Sequence, residues 1–169
     1  MEKNIFDGIK YLKDLGSSNR YMQDNGWQTG SVNMQRGIEP IMEEFRRKEN
    51  FFLIDDAPMG GITMNRAGGF FDSRTYAAHF VSRMGGRMQD LTVYEHKMIL
   101  IRELFKQFLE RIVYDSAGLR ALHQVYVQTD RIFYREPGKA AYGGSAGLYF
   151  QLTISQPKDL VYRSANWIS

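Results

Sequence analysis

The residues whose types and spacing could do chemistry are few: a G-x-S-x-G pattern, three histidines, a carboxylate pair and a run of basic and aromatic side chains. Gly143, Ser145 and Gly147 spell the pattern of a hydrolase nucleophile elbow, in which a strand turns sharply into a helix so that the serine stands exposed beside an oxyanion hole. Here the pattern precedes a strand. That fold also places an acid and then a histidine after the serine, whereas His79, His96 and His123 all come before Ser145. The expected reading is a glycine-rich hairpin loop, with a hydrolase using Ser145 as the third hypothesis. The same glycines lack the Gly-Lys-Ser/Thr ending of a phosphate-binding loop, as do Gly60-Gly61 and Gly68-Gly69.

Glu95 and His96 are adjacent on a helical pattern and point in different directions, and no H-E-x-x-H pair exists. Asp55 and Asp56 close a strand, where two carboxylates could hold a hard cation or do acid–base work. Capping of the following turn is the expectation there. Arg131-Ile132-Phe133-Tyr134-Arg135 interleaves cations with aromatics as nucleic-acid stacking strands do, and a sheet edge or subunit interface has the same pattern. No catalytic residue, cofactor or metal ligand is expected.

These residues hang on a framework dominated by 91–117. Tyr94, Met98, Ile101, Phe105, Phe108 and Ile112 recur at steps of four and three, and Leu104 and Leu109 widen the stripe. Arg102, Glu103, Lys106, Gln107, Glu110 and Arg111 fall on the opposite face. Thr92 and Glu95 have capping-box spacing, and Gly118 is the expected stop. A first helix is expected over 2–15 and a second over 38–49, where Arg46, Arg47 and Lys48 complement the helix dipole. The polar segment 17–37 has neither period and is expected as a loop.

Strands are expected at Phe51–Asp55 and Ile62–Asn65, paired as a hairpin, and along Phe70–Met84. There Tyr76, Ala78, Phe80 and Met84 share one face, and Val81 on the polar face implies partial cover on that side. Leu122–Tyr134 is expected as one strand interrupted near Asp130, 136–147 as a flexible loop, and Leu148–Ser155 as a half-buried strand ended by Pro157. The fold class is therefore α+β: a mixed or antiparallel sheet of about 5–6 strands against the central helix and N-terminal helices, in a single domain over 1–169.

With 169 residues and no cysteine, the chain excludes a disulfide framework, thiolate metal sites and cysteine nucleophiles, and suits a reducing compartment. The 22 basic and 19 acidic residues are spread along the sequence, which implies a mixed solvated surface and not a concentrated nucleic-acid footprint. No window approaches a membrane-spanning length and no signal-peptide core is present, so a cytoplasmic protein is expected.

The order of elements carries one resemblance: an N-terminal helix, FFLIDDAPMGGITM, the strand RTYAAHFVSRM, a helix beginning near DLTVYEHK, and strands ending in GLYFQLTISQPKDLVY. Over 1–162 this resembles the small phage tail terminator or tail completion proteins. The resemblance implies a structural subunit of a phage, prophage or injection device that forms a homo-oligomeric ring and joins the tail tube to the neck, made in the bacterial cytoplasm and incorporated in the virion. It would bind other copies of itself and tube or neck proteins, with no membrane contact. The loops that could carry such contacts present Trp27, Arg66, Lys139, Tyr142 and, at the C-terminus, Trp167 as interface candidates. The alternative is a small cytoplasmic binding module for nucleic acid or protein, whose affinity for nucleic acid would fall steeply with salt.

Overall fold

The structure, a computed structural model, describes residues 5–33, 43, 49–85 and 90–161. It is an α+β fold in which one mixed sheet is overlaid on one face by helices. Helices α1 (Gly8–Ser18) and α2 (Arg20–Asp24) lead into β1 (Gln28–Val32), followed by β2 (Asn50–Asp55), β3 (Met59–Met64) and β4 (Phe70–Ser82). The long helix α3 (Leu91–His123) comes next, then β5 (Tyr126–Val127), β6 (Phe133–Arg135), a 3-10 turn at Lys139–Tyr142 and β7 (Ala146–Lys158).

The spine of the sheet is the antiparallel pair β4–β7, in register along all thirteen residues of each strand, from Phe70↔Lys158 to Ser82↔Ala146. Pro157 lies inside this ladder and does not end it, because it sits near the free end opposite Phe71. On the outer edge of β4, β2 pairs with 78–82 and β3 with 70–75, both antiparallel. β2 and β3 therefore run in the same direction along one neighbour and are not a hairpin. The segment Asp56–Pro58 is a bulge between them, and the true hairpin joins β3 to β4. β5 and β6 share the outer edge of β7 in the same manner, and β1 closes the sheet parallel to β2.

The predicted face of α3 is the buried one. Met98, Ile101, Leu104, Phe105, Phe108 and Ile112 are all buried, and Tyr94 and Leu109 are partly buried. They meet Phe52, Ile54, Tyr76, Ala78, Phe80, Leu148, Phe150 and Leu152, the side chains that alternation places on one face of the sheet. Phe108 packs edge-on against both Phe52 (4.9 Å) and Phe80 (5.0 Å). Leu12, Leu15 and Met22 extend this layer, and α1 is tied to α3 by Tyr11 donating to Asp115 (3.1 Å) and Asn19 donating to Gln107 (3.1 Å).

Several boundaries differ from expectation. The cap of α3 is Asp90, whose carboxylate accepts from the backbone N–H groups of Thr92 and Val93, not a Thr92–Glu95 box. Gly118 does not stop the helix, which runs to His123 and ends at Gln124 in the left-handed region (φ 55°). Beyond Gly118, Leu119 packs on the core and Val125 is buried, which holds the last turns together. α1 begins at Gly8 and continues through Gly16, where Thr29 and Phe52 approach so closely that a Cβ would collide with them. The segment expected as a loop at 17–37 forms the end of α1, α2 and β1 as far as it is described. The expected single strand Leu122–Tyr134 is the end of α3 followed by the short β5 and β6, with a turn at Thr129–Asp130. The second helix expected over 38–49 lies outside the described residues except for Glu43 and Glu49. Among the described residues no helix is long and apolar enough to cross a membrane.

Candidate functional site

The face of the sheet turned away from the helices changes character along its length. At one end Ser73 and Ser155 share a hydrogen bond of 2.8 Å, and Thr75 and Thr153 another of 2.8 Å, a ladder of hydroxyls across β4 and β7. At the other end Val32, Phe51, Leu53, Val81 and Tyr142 form a second buried cluster. Val81 is thus covered, as its place on the polar face implied. His79 sits where the two regimes meet, opposite Tyr149 in the register and stacked on it at 5.5 Å.

Tyr142 reaches His79 by way of a strap that crosses from the helix face. β6 leaves the edge of β7, Phe105 packs on Tyr134 (5.2 Å), and Glu136 accepts two hydrogen bonds from Arg102 of α3 (2.7 and 2.8 Å). Lys139 lies over the Tyr94 ring at 4.9 Å. The 3-10 turn then ends at Gly143, in the left-handed region (φ 58°), and delivers the buried Tyr142 ring flat against Gly147 of β7, where any Cβ would collide with it. The segment 136–147 is therefore a folded strap and not the open loop its composition implies.

This gives the G-x-S-x-G pattern a local structural role. Gly143 permits the turn and Gly147 makes room for the Tyr142 ring, while the Ser145 N–H bonds to the Tyr142 carbonyl (3.0 Å). Ser145 is buried and makes no hydrogen bond to a histidine: His79 bonds to Tyr142, and His96 and His123 are exposed.

His79 Nδ1 and the Tyr142 hydroxyl lie 3.1 Å apart. Burial, followed by the nearby Tyr149, pushes the Tyr142 hydroxyl well above its ordinary range, so it keeps its proton, and the direction of its hydrogen bond with Nδ1 follows the tautomer of the ring. Burial lowers the His79 pKa to about 4, against the opposing pull of Asp55, so the ring is neutral near pH 7. Asp55 lies half-buried at the end of β2, and its carboxylate accepts from the Ala57 N–H (3.2 Å), the turn-capping role expected from sequence.

A cavity of about 340 Å³ opens here, lined by Asp55, Ala77, His79, Pro137, Tyr142, Tyr149 and Gln151. A larger cleft of about 650 Å³ lies on the other side, between Trp27, Glu49 and the first turns of α3. Inside it Lys97 donates to Ser82 (3.0 Å) and Ser82 donates to Asn50 (2.7 Å), a polar chain that ties α3 to β4 and β2. No group of three or more His, Cys, Asp or Glu residues that could hold a metal occurs among the described residues.

A third feature is the overhang of the sheet beyond the helices. β3, the start of β4 and the end of β7 form a three-stranded ribbon, closed at its tip by Asn65, whose side chain accepts from the Ala67 and Gly69 N–H groups. Ile62 pairs with Asp72 and Met64 with Phe70, so Ile62, Met64 and Phe70 lie on the helix side of the sheet. Among the described residues no helix packs on them. They are 51%, 65% and 37% exposed.

Of the interface candidates, Arg66 is exposed at the tip of this ribbon. Trp27 is half-buried, edge-on to Phe80 at 6.0 Å, and Lys139 and Tyr142 belong to the strap; Trp167 lies outside the described residues. The His79–Tyr142 pair escaped sequence reasoning because its members are 63 positions apart. The signal that could have exposed it was Val81, an apolar residue on a polar strand face, together with Gly147 breaking an otherwise bulky strand. No protein-family model matches the chain, and no curated protein sequence matches it at a significant level.

Proposed function

We propose that the protein is a non-enzymatic assembly subunit of the tail terminator or tail completion kind, which packs with copies of itself into a ring and joins a tail tube to the neck. The observation that carries the assembly reading is the ribbon. Ile62, Met64 and Phe70 stand in water on the side of the sheet on which the helices bury Phe52, Phe80 and Phe150. An exposed apolar ribbon is an aggregation hazard for a lone protomer, and natural proteins cover or charge such edges. Among the described residues no strand pairs with the outer edge of β3, which suits strand addition, and Arg66 adds a cation at the tip. Assignment to a tail, with tube and neck proteins as partners and the virion as destination, rests on the resemblance in element order.

Light scattering over a concentration series, with negative-stain images of the same samples, tests the reading. Closed rings that dissociate on dilution support it. A monomer at every concentration, both alone and with polymerised tail tube added, contradicts it.

A further inference from the structure

The arginines and aromatics spread along 119–135 are gathered by the fold on one margin of the sheet, on the face turned away from the helices. Phe150, Leu152 and Ile154 of β7 point to the helices, so Tyr149, Gln151, Thr153 and Ser155 point the other way. The edge strands follow that register. Phe133 lies opposite Gln151, Arg135 opposite Tyr149 and Tyr126 opposite Ser155, which puts all three on the face away from the helices. Two aromatic pairs result, Phe133 with Tyr149 at 5.9 Å and Tyr126 with Phe71 at 5.6 Å. They are separated by ~13 Å along β7, from Gln151 to Ser155. Phe133 and Tyr126 are 52% and 37% exposed.

Between the pairs the face is polar and has hydrogen bonds to give. Thr75 and Thr153 share one of their two hydroxyl hydrogens with each other, which leaves the second for a ligand, and Gln151 makes no hydrogen bond among the described residues. Arg120 lies over the Tyr126 ring at 5.5 Å, and Arg131 and Arg135 stand to either side of Phe133 in the chain. None of the three makes an ion pair among the described residues. Over 119–135 the only carboxylate is that of Asp130, and Asp55 lies on the other side of β4. We infer that this margin binds single-stranded nucleic acid, with bases stacked on Phe133 and Tyr126, base edges met by Gln151 and the threonine pair, and phosphates met by Arg120, Arg131 and Arg135. An acidic peptide would use the arginines and leave both rings and Gln151 idle. A duplex keeps its bases stacked on one another and has none to lay on the rings. Ile62, Met64 and Phe70 lie on the opposite side of the sheet, so this surface is separate from the assembly ribbon.

The test is fluorescence anisotropy of a labelled decauridylate titrated with the full chain over a salt series, with a ten-base-pair RNA duplex and heparin as competitors. The single strand is expected to bind at least about tenfold more tightly than the duplex, with affinity falling as salt rises. Phe133→Leu with Tyr126→Leu is expected to weaken binding at least about tenfold and leave the salt slope as it was, because it removes the stacking planes and no charge. Arg131→Gln with Arg135→Gln is expected to lower the slope by about 1 to 2. Absence of binding at low salt, a leucine variant that binds like the parent, or duplex and heparin competing as well as the single strand overturns the inference; the last result marks a general polyanion surface. Should the double leucine variant not fold, Phe133→Leu alone decides, since that ring is half exposed, and an unchanged affinity there overturns the inference.

Discussion

On one side of the sheet Phe52, Phe80 and Phe150 meet α3 in a continuous apolar layer, while on the other a hydroxyl ladder, a neutral histidine and a small apolar cluster succeed one another over a few residues. The same two strands, β4 and β7, build both faces, since alternate residues of each point opposite ways. The first face is filled by the long α3 and the shorter α1, which turn apolar side chains to it. The second is met by a short strap that inserts one tyrosine and leaves a cavity beside it. Stability should therefore reside on the helix face, and selectivity and pH response on the strap face.

The contrast can be broken most strongly from the helix side. Phe150→Ala removes a fully buried ring from the middle of the layer and should cost about 3–5 kcal/mol in urea unfolding. On the strap face the largest effect is one of pH. Because the folded state holds the His79 pKa near 4 against 6.5 for the unfolded chain, its contribution is complete above about pH 6.5 and is lost as the pH falls towards 4. The loss should be on the order of 3 kcal/mol, and urea unfolding at pH 7 and pH 4.5 should show His79→Phe losing that much less than the parent protein.

Gly147→Ala would push a methyl group into the Tyr142 ring and should cost about 1–3 kcal/mol in thermal melting, with loss of the Tyr142–His79 contact. Glu136→Gln weakens the exposed pair with Arg102 and should cost less than about 1 kcal/mol. Ile62→Asp with Met64→Asp should cost less than about 1 kcal/mol of monomer stability, from the new carboxylate opposite Asp72 and not from lost burial, yet weaken self-association on light scattering.

How much of this was legible from sequence follows the same division. The stripe of α3 and the alternation of β7 could be read because one-sided burial repeats at the period of the element, and the inward residues are those predicted. The β2–β3 pair was misread because D-A-P-M-G-G carries every signal of a reversing turn, while the chain there only bulges and continues along β4. β1, with the polar sequence QTGSV, has little strand character of its own and forms because the β2 edge offers it hydrogen bonds. Nothing periodic links Tyr142 to His79. Their contact depends on the strap crossing from α3, and such a path has no local signature.

The assembly reading turns on what covers the ribbon, and hydrogen exchange of its backbone addresses that directly. Amide exchange over 59–72 is to be measured in dilute protein and at a concentration where light scattering detects assembly, for the parent protein and for Ile62→Asp with Met64→Asp. The account predicts protection of the ribbon on concentration in the parent and not in the variant, with α3 unchanged in both. Exchange of the ribbon that is the same in monomer and assembly, with new protection elsewhere, would contradict it.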